Sequence, residues 1–270
     1  MMQTAQALVA PGKGILAADE STPTMAKRLR GVGLESTEPR RREYRELLFT
    51  TTGIGEFISG VILFDETIRQ QASDGTAFCE ILTRRGVIPG IKVDKGTTPL
   101  AGFPGDKVTE GLDGLRSRLD EYARMGARFA KWRAVITVDA DRPSSACIEA
   151  NAHALARYAA LCQESGLVPI VEPEVLMDGS HTLQCCAEVS AAVLRAVYEH
   201  LGRHKVVLEA SLLKPNMVVP GEDSPDQAGL DDVAAATIAE SVIRTPWCSS
   251  YFSLRPRRIE MVSSTVGSLT

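Results

Sequence analysis

Residues 205–221 read KVVLEASLLKPNMVVPG. This stretch is informative about the fold because an apolar run ends in a charged side chain. Val and Leu dominate residues 205–213, as expected for a strand that is buried on both faces of a parallel sheet. Lys214 follows directly, and Pro215 disfavours a helical conformation at the residue before it. The pattern therefore predicts a strand over 205–213 with a lysine at its carboxyl end.

Other apolar runs rich in Val, Ile or Leu share this character, at residues 14–18, 60–64, 87–93, 129–138 and 168–175. Segments with helical periodicity lie between them, at residues 24–30, 38–50, 76–83, 111–125, 144–164 and 182–200. Glycines stand where several of these helices should end, at Gly86, Gly126, Gly166 and Gly202. The βαβ order predicts an α/β fold with a parallel sheet, either doubly wound or closed into a barrel.

Composition excludes several classes of protein. The formal net charge is −4, and the basic residues are interspersed with acidic ones, so we expect no nucleic-acid partner. No apolar run approaches the ~18 residues of a membrane span, and the first residues lack the features of a signal peptide. The six cysteines follow neither disulfide nor zinc spacing. We therefore expect a cytoplasmic protein with no membrane partner.

Charged side chains recur at the ends of the predicted strands: Asp19, Lys92, Lys131, Arg133, Glu172, Glu174 and Lys214. Such residues are rarely buried unless they are paired. In parallel α/β folds the carboxyl ends of the strands meet on one face, where functional sites lie. The pattern therefore predicts one crowded, charged pocket.

The residue types in this pocket indicate carbonyl chemistry. Neighbouring cations and partial desolvation should lower the pKa of a lysine, and a neutral amine can form a Schiff base with a ketone. Carboxylates can then donate and accept protons during dehydration. A surplus of Lys and Arg suits an anionic, phosphorylated substrate. Residue types alone leave open which lysine is the nucleophile.

Simpler interpretations stand beside this one. A single lysine at a strand end usually snorkels or forms a salt bridge, and Glu172-Pro173-Glu174 alone would suggest a loop entry. His200 and His204 have the i,i+4 spacing of metal ligands, but no HExxH partner is present and Gly202 should end the helix between them. We expect structural roles for His153 and His181. The GxGxxG and P-loop patterns are absent.

Several longer blocks carry a family resemblance. In chain order they include GKGILAADEST at 12–22, GVILFDET at 60–67, GIKVDKG at 90–96, FAKWR at 129–133, VPIVEPE at 168–174 and LLKPNMV at 212–218. Together they resemble the class I fructose-bisphosphate aldolases over residues 5–237. The resemblance implies a (β/α) TIM-type barrel, reversible cleavage of fructose 1,6-bisphosphate, and a tetramer. It also implies that no metal or other cofactor is needed.

The resemblance also assigns roles to individual residues. It implies that Lys214 forms the Schiff base, that Glu172 assists dehydration with Glu174 beside it, that Lys131 is an auxiliary catalytic lysine, and that Asp19 handles the proton of the C4 hydroxyl. Contacts to the sugar phosphate are implied for Lys92, Arg133, Ser21, Lys27 and Arg28.

The resemblance stops near residue 237. The family blocks that end strands seven and eight, Leu-Ser-Gly-Gly-Gln and Ser-Tyr-Gly-Arg, are not found. We therefore expect an incomplete barrel over residues 1–237 and a divergent tail over 238–270, with strands seven and eight missing or replaced. A helix is predicted over 228–244 and strands around 251–254 and 259–266.

Two hypotheses about activity follow. The chain is an active Schiff-base aldolase, or it is a catalytically impaired or non-catalytic truncated fragment of one. A zinc-dependent aldolase is disfavoured because the chain lacks metal-ligand spacing.

Overall fold

The computed structural model describes residues 1–241. Its strands are β1 (Gly14–Ala18), β2 (Ile58–Leu63), β3 (Ile88–Lys92), β4 (Thr97–Pro99), β5 (Lys107–Thr109), β6 (Phe129–Ile136), β7 (Val168–Val175) and β8 (Leu212–Leu213). Its α-helices are α1 (Met2–Leu8), α2 (Thr22–Gly31), α3 (Glu38–Thr50), α4 (Ile54–Phe57), α5 (Asp65–Ile68), α6 (Phe78–Arg84), α7 (Leu115–Arg124), α8 (Ser145–Glu164), α9 (Leu183–Arg203) and α10 (Leu230–Ser241). A 3-10 turn, Leu208–Ala210, precedes β8.

The main sheet has six strands in the order β1-β2-β3-β6-β7-β8, and all neighbouring pairs are parallel. Strands β4 and β5 form a separate antiparallel hairpin. The predicted parallel α/β sheet is confirmed. Its strand order follows the chain without the reversal that defines a doubly wound sheet, so the barrel-type winding is the correct one of the two alternatives. Within residues 1–241, β1 and β8 are the edges of this sheet.

The two faces of the sheet bury different cores. The larger core lies between the sheet and the helices, where Trp132 packs against Tyr158 with ring centroids 5.5 Å apart. The smaller core lies on the inner face and contains Ile62, Phe129 and Ile170. Because side chains alternate along a strand, the residues two positions after Phe129 and Ile170 also lie on the inner face. That face is therefore apolar toward its amino end and charged toward its carboxyl end.

Helix α1 closes the apolar end of the inner face. Its Ala5 and Leu8 are almost fully buried and belong to the same cluster as Phe129. The Ser59 hydroxyl on β2 donates hydrogen bonds to the carbonyls of Leu8, at 2.5 Å, and of Gly14, at 3.1 Å. The helix is thereby fixed against the floor of the sheet, below the charged end.

Two glycines of the parallel strands make a matched pair for testing this core. We expect Gly90→Ala to destabilise the fold by about 1–3 kcal/mol, because a Cβ at Gly90 would lie 2.3 Å from the fully buried ring of Phe129. Gly14→Ala is the control, since a Cβ there has no atom within 4 Å. Urea unfolding of both variants measures the difference. Equal midpoints for the two would contradict this account of the inner core.

The segment before β8 differs from its prediction. Residues 205–213 were expected to form one strand, but only Leu212–Leu213 pairs with β7. Lys205 has a left-handed φ of 56°, and the turn that follows is held by Gln163, whose side chain bonds both the N–H of Val207, at 2.9 Å, and its carbonyl, at 2.8 Å. Residues 205–211 are therefore held by a turn and its hydrogen bonds to Gln163 instead of by pairing with β7.

The predicted end of α9 at Gly202 is also wrong. The helix continues through this glycine to Arg203, and Gly202 is not among the residues with positive φ. The left-handed residue that follows the helix is Lys205. By contrast, Gly86, Gly126 and Gly166 all have positive φ just beyond helix ends, as predicted.

Helix α10 spans the predicted boundary at residue 237, and the division into barrel and tail stays a prediction. The strands predicted around 251–254 and 259–266 lie outside the described residues. In the part of the chain that is described, no helix is both long and apolar enough to cross a membrane.

Candidate active site

The carboxyl ends of the strands bring the predicted polar residues to one edge of the sheet. Asp19 follows β1, Lys92 ends β3, and Lys131 lies on β6. Glu172 is inside β7, so the Glu-Pro-Glu segment is part of a strand rather than a loop entry. The N–H of Lys214 donates to the carbonyl of Val171 at 2.9 Å, which extends the pairing of β8 by one residue and fixes the start of the lysine side chain.

Glu172 is the centre of a buried ion cluster. One carboxylate oxygen contacts the ammonium of Lys214, and the other lies 3.3 Å from Nζ of Lys131. Lys131 Nζ in turn lies 2.7 Å from Oδ2 of Asp19. The side chains of Glu172 and Lys131 are only 5% and 8% exposed. The cluster therefore joins the four residues to which the resemblance assigns the principal catalytic roles.

The electrostatic effect on Lys131 is opposite to the expected lowering of a lysine pKa. Burial alone would lower the pKa of Lys131, but the carboxylates of Asp19, Glu172 and Asp94 outweigh burial and raise it. The sequence interpretation placed carboxylates in the same pocket, but it weighed only the neighbouring cations when it predicted the direction of the pKa shift. The raised pKa favours the charged form of Lys131, which argues against Lys131 as the nucleophile.

Asp94 is a site residue that the sequence interpretation missed. Its carboxylate contacts Nζ of Lys92 and accepts a hydrogen bond from the backbone N–H of Arg133 at 3.2 Å. The available signal was its position two residues after a strand-end lysine in the block GIKVDKG. Its burial and its link to another strand could be seen only in the fold.

Asp94 changes the charge balance of the pocket. Each strand-end cation contacts at least one carboxylate: Lys92 with Asp94, Lys131 with Asp19 and Glu172, Arg133 with Glu174, and Lys214 with Glu172. The expected surplus of positive charge is therefore wrong for this set of residues. An anion that binds these cations must share them with carboxylates or displace the carboxylates.

Arg133 and the start of α2 form the more open part of the site. Arg133 contacts Glu174, and the two side chains are 41% and 30% exposed. Ser21 is the N-cap residue of α2, and its hydroxyl lies 3.1 Å from that of Thr24. Lys27 and Arg28 follow on the same helix and are exposed. The structure does not bring these α2 residues into the buried cluster.

A second ion pair, which the sequence interpretation missed, anchors this part of the site. Arg45 on α3 is 2% exposed and lies 2.7 Å from Oε2 of Glu20, whose other oxygen contacts Arg28. Glu20 lies between Asp19 and Ser21 in the chain. Because Arg45 holds Glu20, it also fixes the segment that carries those two neighbours.

Three of the four histidines, His153, His200 and His204, pack against one another where α8 meets the end of α9. Nε2 of His200 lies 2.8 Å from Oε2 of Glu149, and the rings of His153 and His204 pack edge-to-face with centroids 5.1 Å apart. Among the described residues, no group of three or more His, Cys, Asp or Glu side chains is placed to hold a metal ion. The described cysteines are free thiols: Cys79, Cys147, Cys162, Cys185 and Cys186.

Comparison with known proteins agrees with the family resemblance found in the sequence. The family model for fructose-bisphosphate aldolase class-I matches residues 1–247. A probable fructose-bisphosphate aldolase class 1 from Xanthomonas axonopodis pv. citri is 61% identical over 238 residues, which are 88% of this chain and 71% of the relative. The cytosolic fructose-bisphosphate aldolase 5 of Arabidopsis thaliana is 55% identical, over 90% of this chain and 66% of the relative.

A solved structure agrees in fold. The fructose-bisphosphate aldolase of Plasmodium falciparum, in a ternary complex with TRAP and a small-molecule inhibitor, superposes with a TM-score of 0.87 at 48% identity. The superposition covers 88% of this chain and 70% of that one. The six-stranded sheet is therefore part of the same barrel fold.

Proposed function

The chain belongs to the class-I fructose-bisphosphate aldolase family, and from that premise we propose that it cleaves fructose 1,6-bisphosphate reversibly through a Schiff base on Lys214. The products are dihydroxyacetone phosphate and glyceraldehyde 3-phosphate. The observation that carries the proposal is the position of Glu172, which contacts the ammonium of Lys214 and lies 3.3 Å from Lys131.

The contact between Glu172 and Lys214 provides the proton transfers for Schiff-base formation. Glu172 takes a proton from the ammonium, and the neutral amine attacks the C2 ketone of the sugar. The proton that the nitrogen then loses passes to the C2 oxygen, which gives the neutral carbinolamine. The carboxyl group then returns the proton to the C2 hydroxyl of the carbinolamine, which leaves as water. The product is an iminium between Lys214 and C2. One carboxylate in contact with the nucleophile serves both transfers.

Cleavage of the C3–C4 bond uses the other members of the cluster. Asp19 removes the proton of the C4 hydroxyl, and the electrons of the broken bond pass to the iminium, giving an enamine and an aldehyde. Lys131 contacts Asp19 at 2.7 Å and supplies a fixed positive charge where oxygen atoms become negative. The neighbouring carboxylates raise the pKa of Lys131 and so favour its charged form at the start of the reaction.

The remaining predicted residues are assigned to the phosphate groups. We assign Lys92, Arg133, Ser21, Lys27 and Arg28 to phosphate contacts, and Glu174 to holding Arg133. Lys92, Arg133 and Arg28 each contact a carboxylate in this structure. Phosphate oxygens would replace or share these contacts, since charged hydrogen bonds to phosphate and to carboxylate have similar geometry.

We extend the proposal to the setting of the reaction. The relative from Arabidopsis is named as cytosolic, which supports a cytoplasmic location. We propose that the substrate is a sugar phosphate, that the chain needs no metal cofactor, and that it assembles as a homo-oligomer, with a tetramer as the expected form.

The proposal is tested by trapping the Schiff base. Incubation with fructose 1,6-bisphosphate and sodium borohydride is expected to attach the sugar covalently to Lys214, as located by peptide mass spectrometry. Borohydride without sugar is the control. Absence of an adduct in a sample with a folded circular dichroism spectrum and cooperative melting would reject the enzymatic function, and would favour a non-catalytic member of the family.

A further inference from the structure

Asp94 connects the ends of two strands that carry proposed phosphate-binding residues. Its Oδ1 atom lies 2.5 Å from Nζ of Lys92 and accepts the N–H of Gly96 at 3.3 Å. Its Oδ2 atom accepts the N–H of Arg133 at 3.2 Å. We propose that Asp94 is a positioning residue, which holds the Lys92 ammonium and the Arg133 backbone in the places where they receive a substrate phosphate.

The contacts of Lys92 show how this positioning works. Its ammonium contacts both the carboxylate and, at 3.0 Å, the carbonyl of Asp94, so a flexible side chain is held at two points. The side chain of Lys92 is 16% exposed, while that of Asp94 is 4% exposed. The lysine is therefore partly open to solvent, while the carboxylate that fixes it is buried. A cation held in this way needs little further ordering when a phosphate arrives.

The charge of Asp94 also acts beyond Lys92. Asp94 is one of the carboxylates that raise the pKa of Lys131, together with Asp19 and Glu172. Its removal would leave the cations of the pocket in excess and would weaken the hold on Lys131. One buried carboxylate thus serves a proposed phosphate contact and the charge balance of the catalytic cluster.

A purely structural role gives a different expectation. An Asp or Asn side chain that accepts the N–H two residues later stabilises a turn, and Gly96 has the positive φ of 86° that such a turn uses. Asn can keep the acceptor for the N–H of Gly96, but it has no charge and turns an NH2 group, which cannot accept, toward the N–H of Arg133. The variant Asp94→Asn therefore keeps the turn and removes the contacts on which positioning of Lys92 and Arg133 depends.

The first measurement does not depend on catalysis. Trace acetylation with acetic anhydride, followed by mass spectrometry, compares the labelling of Lys92 with that of the exposed Lys95. We expect Asp94→Asn to raise the relative labelling of Lys92 by about tenfold or more, because a charge-assisted contact no longer holds the ammonium. Unchanged relative labelling would overturn the proposal, whatever the activity of the chain.

The second measurement rests on the proposed function. In borohydride trapping, Asp94→Asn is expected to raise the fructose 1,6-bisphosphate concentration for half-maximal adduct by about tenfold, with a smaller change in the yield at saturation. In a Lys92→Met background the same substitution should have a smaller further effect, since the part that acts through Lys92 is already lost and only the parts through Arg133 and Lys131 remain. A full additional effect there would overturn the role of Lys92.

Asp106→Asn is the matched control. Asp106 is also buried, and its Oδ2 accepts the N–H of Ser144 at 3.1 Å and the Ser144 hydroxyl at 2.5 Å. It is expected to leave both the labelling of Lys92 and the half-maximal concentration unchanged. If the wild-type chain forms no adduct, the proposed function fails, and the acetylation result still decides the role of Asp94.

Discussion

Replacing Lys214 by methionine is expected to reduce the borohydride-trapped sugar adduct below detection. Methionine keeps an unbranched apolar stem but has no amine to attack the ketone. Lys131, which also contacts Glu172, is not expected to take over, because the surrounding carboxylates raise its pKa and favour its protonated form. The loss should therefore be complete rather than partial. Peptide mass spectrometry after reduction measures both the amount and the position of the adduct.

Two further variants serve as controls for the Lys214→Met experiment. Lys214→Arg keeps the positive charge beside Glu172 but is not a nucleophile, so it should also form no adduct. Lys95→Met removes an exposed lysine and should trap sugar as the wild-type chain does. An adduct on another lysine in the Lys214→Met protein would show that the nucleophile is wrongly assigned.

The second large effect is expected from Glu172→Gln. The amide can neither take a proton from Lys214 nor return one to the carbinolamine, so the rate of adduct formation should fall by about 10²–10⁴-fold. The substitution also removes the carboxylate shared by two buried lysines, and breaking a buried ion pair costs about 3–5 kcal/mol of stability. Rapid mixing with sugar and timed borohydride quenching measures the rate, and urea unfolding measures the stability.

Glu174→Gln is the comparison for this prediction. Glu174 lies two residues further along the same strand, but it contacts Arg133 and is more exposed than Glu172. It should therefore lose much less in stability and in the rate of adduct formation. Equal losses in the two variants would refute the special role of Glu172.

Regular elements could be predicted well where local sequence decides them. The run 168–175 and the helical segment 38–50 have the same bounds in the structure as in the prediction. The prediction of a strand over 205–213 from apolar residues was wrong before β8. Val206, Val207 and Leu208 are as apolar as strand residues, but they lie in a turn and a 3-10 helix. What overrides the strand there is Gln163, a residue distant in sequence that binds the turn from α8.

The site was predictable as a set of residues, but its electrostatics were not. Strand-end placement found Glu172, Lys131 and Lys214, because the carboxyl ends of parallel strands converge. The direction of the pKa shift at Lys131 depends on which groups lie within a few ångströms, and that is fixed by the register between strands. Asp94 was missed for the same reason, since its contact with Arg133 crosses from the end of one strand to the next.

The strength of the ion pairs at the charged end of the inner face depends in part on helix α1, which packs at the opposite end of that face. Two unit charges 4 Å apart attract with about 1 kcal/mol in water and about 4 kcal/mol at an effective dielectric constant of 20. Ala5 and Leu8 pack with Phe129 and Ile170, the inner-face residues two positions before Lys131 and Glu172, so apolar side chains lie next to these ions on the side of α1. A helix without a single charged residue thus contributes to the low polarity in which the ion pairs of the active site operate.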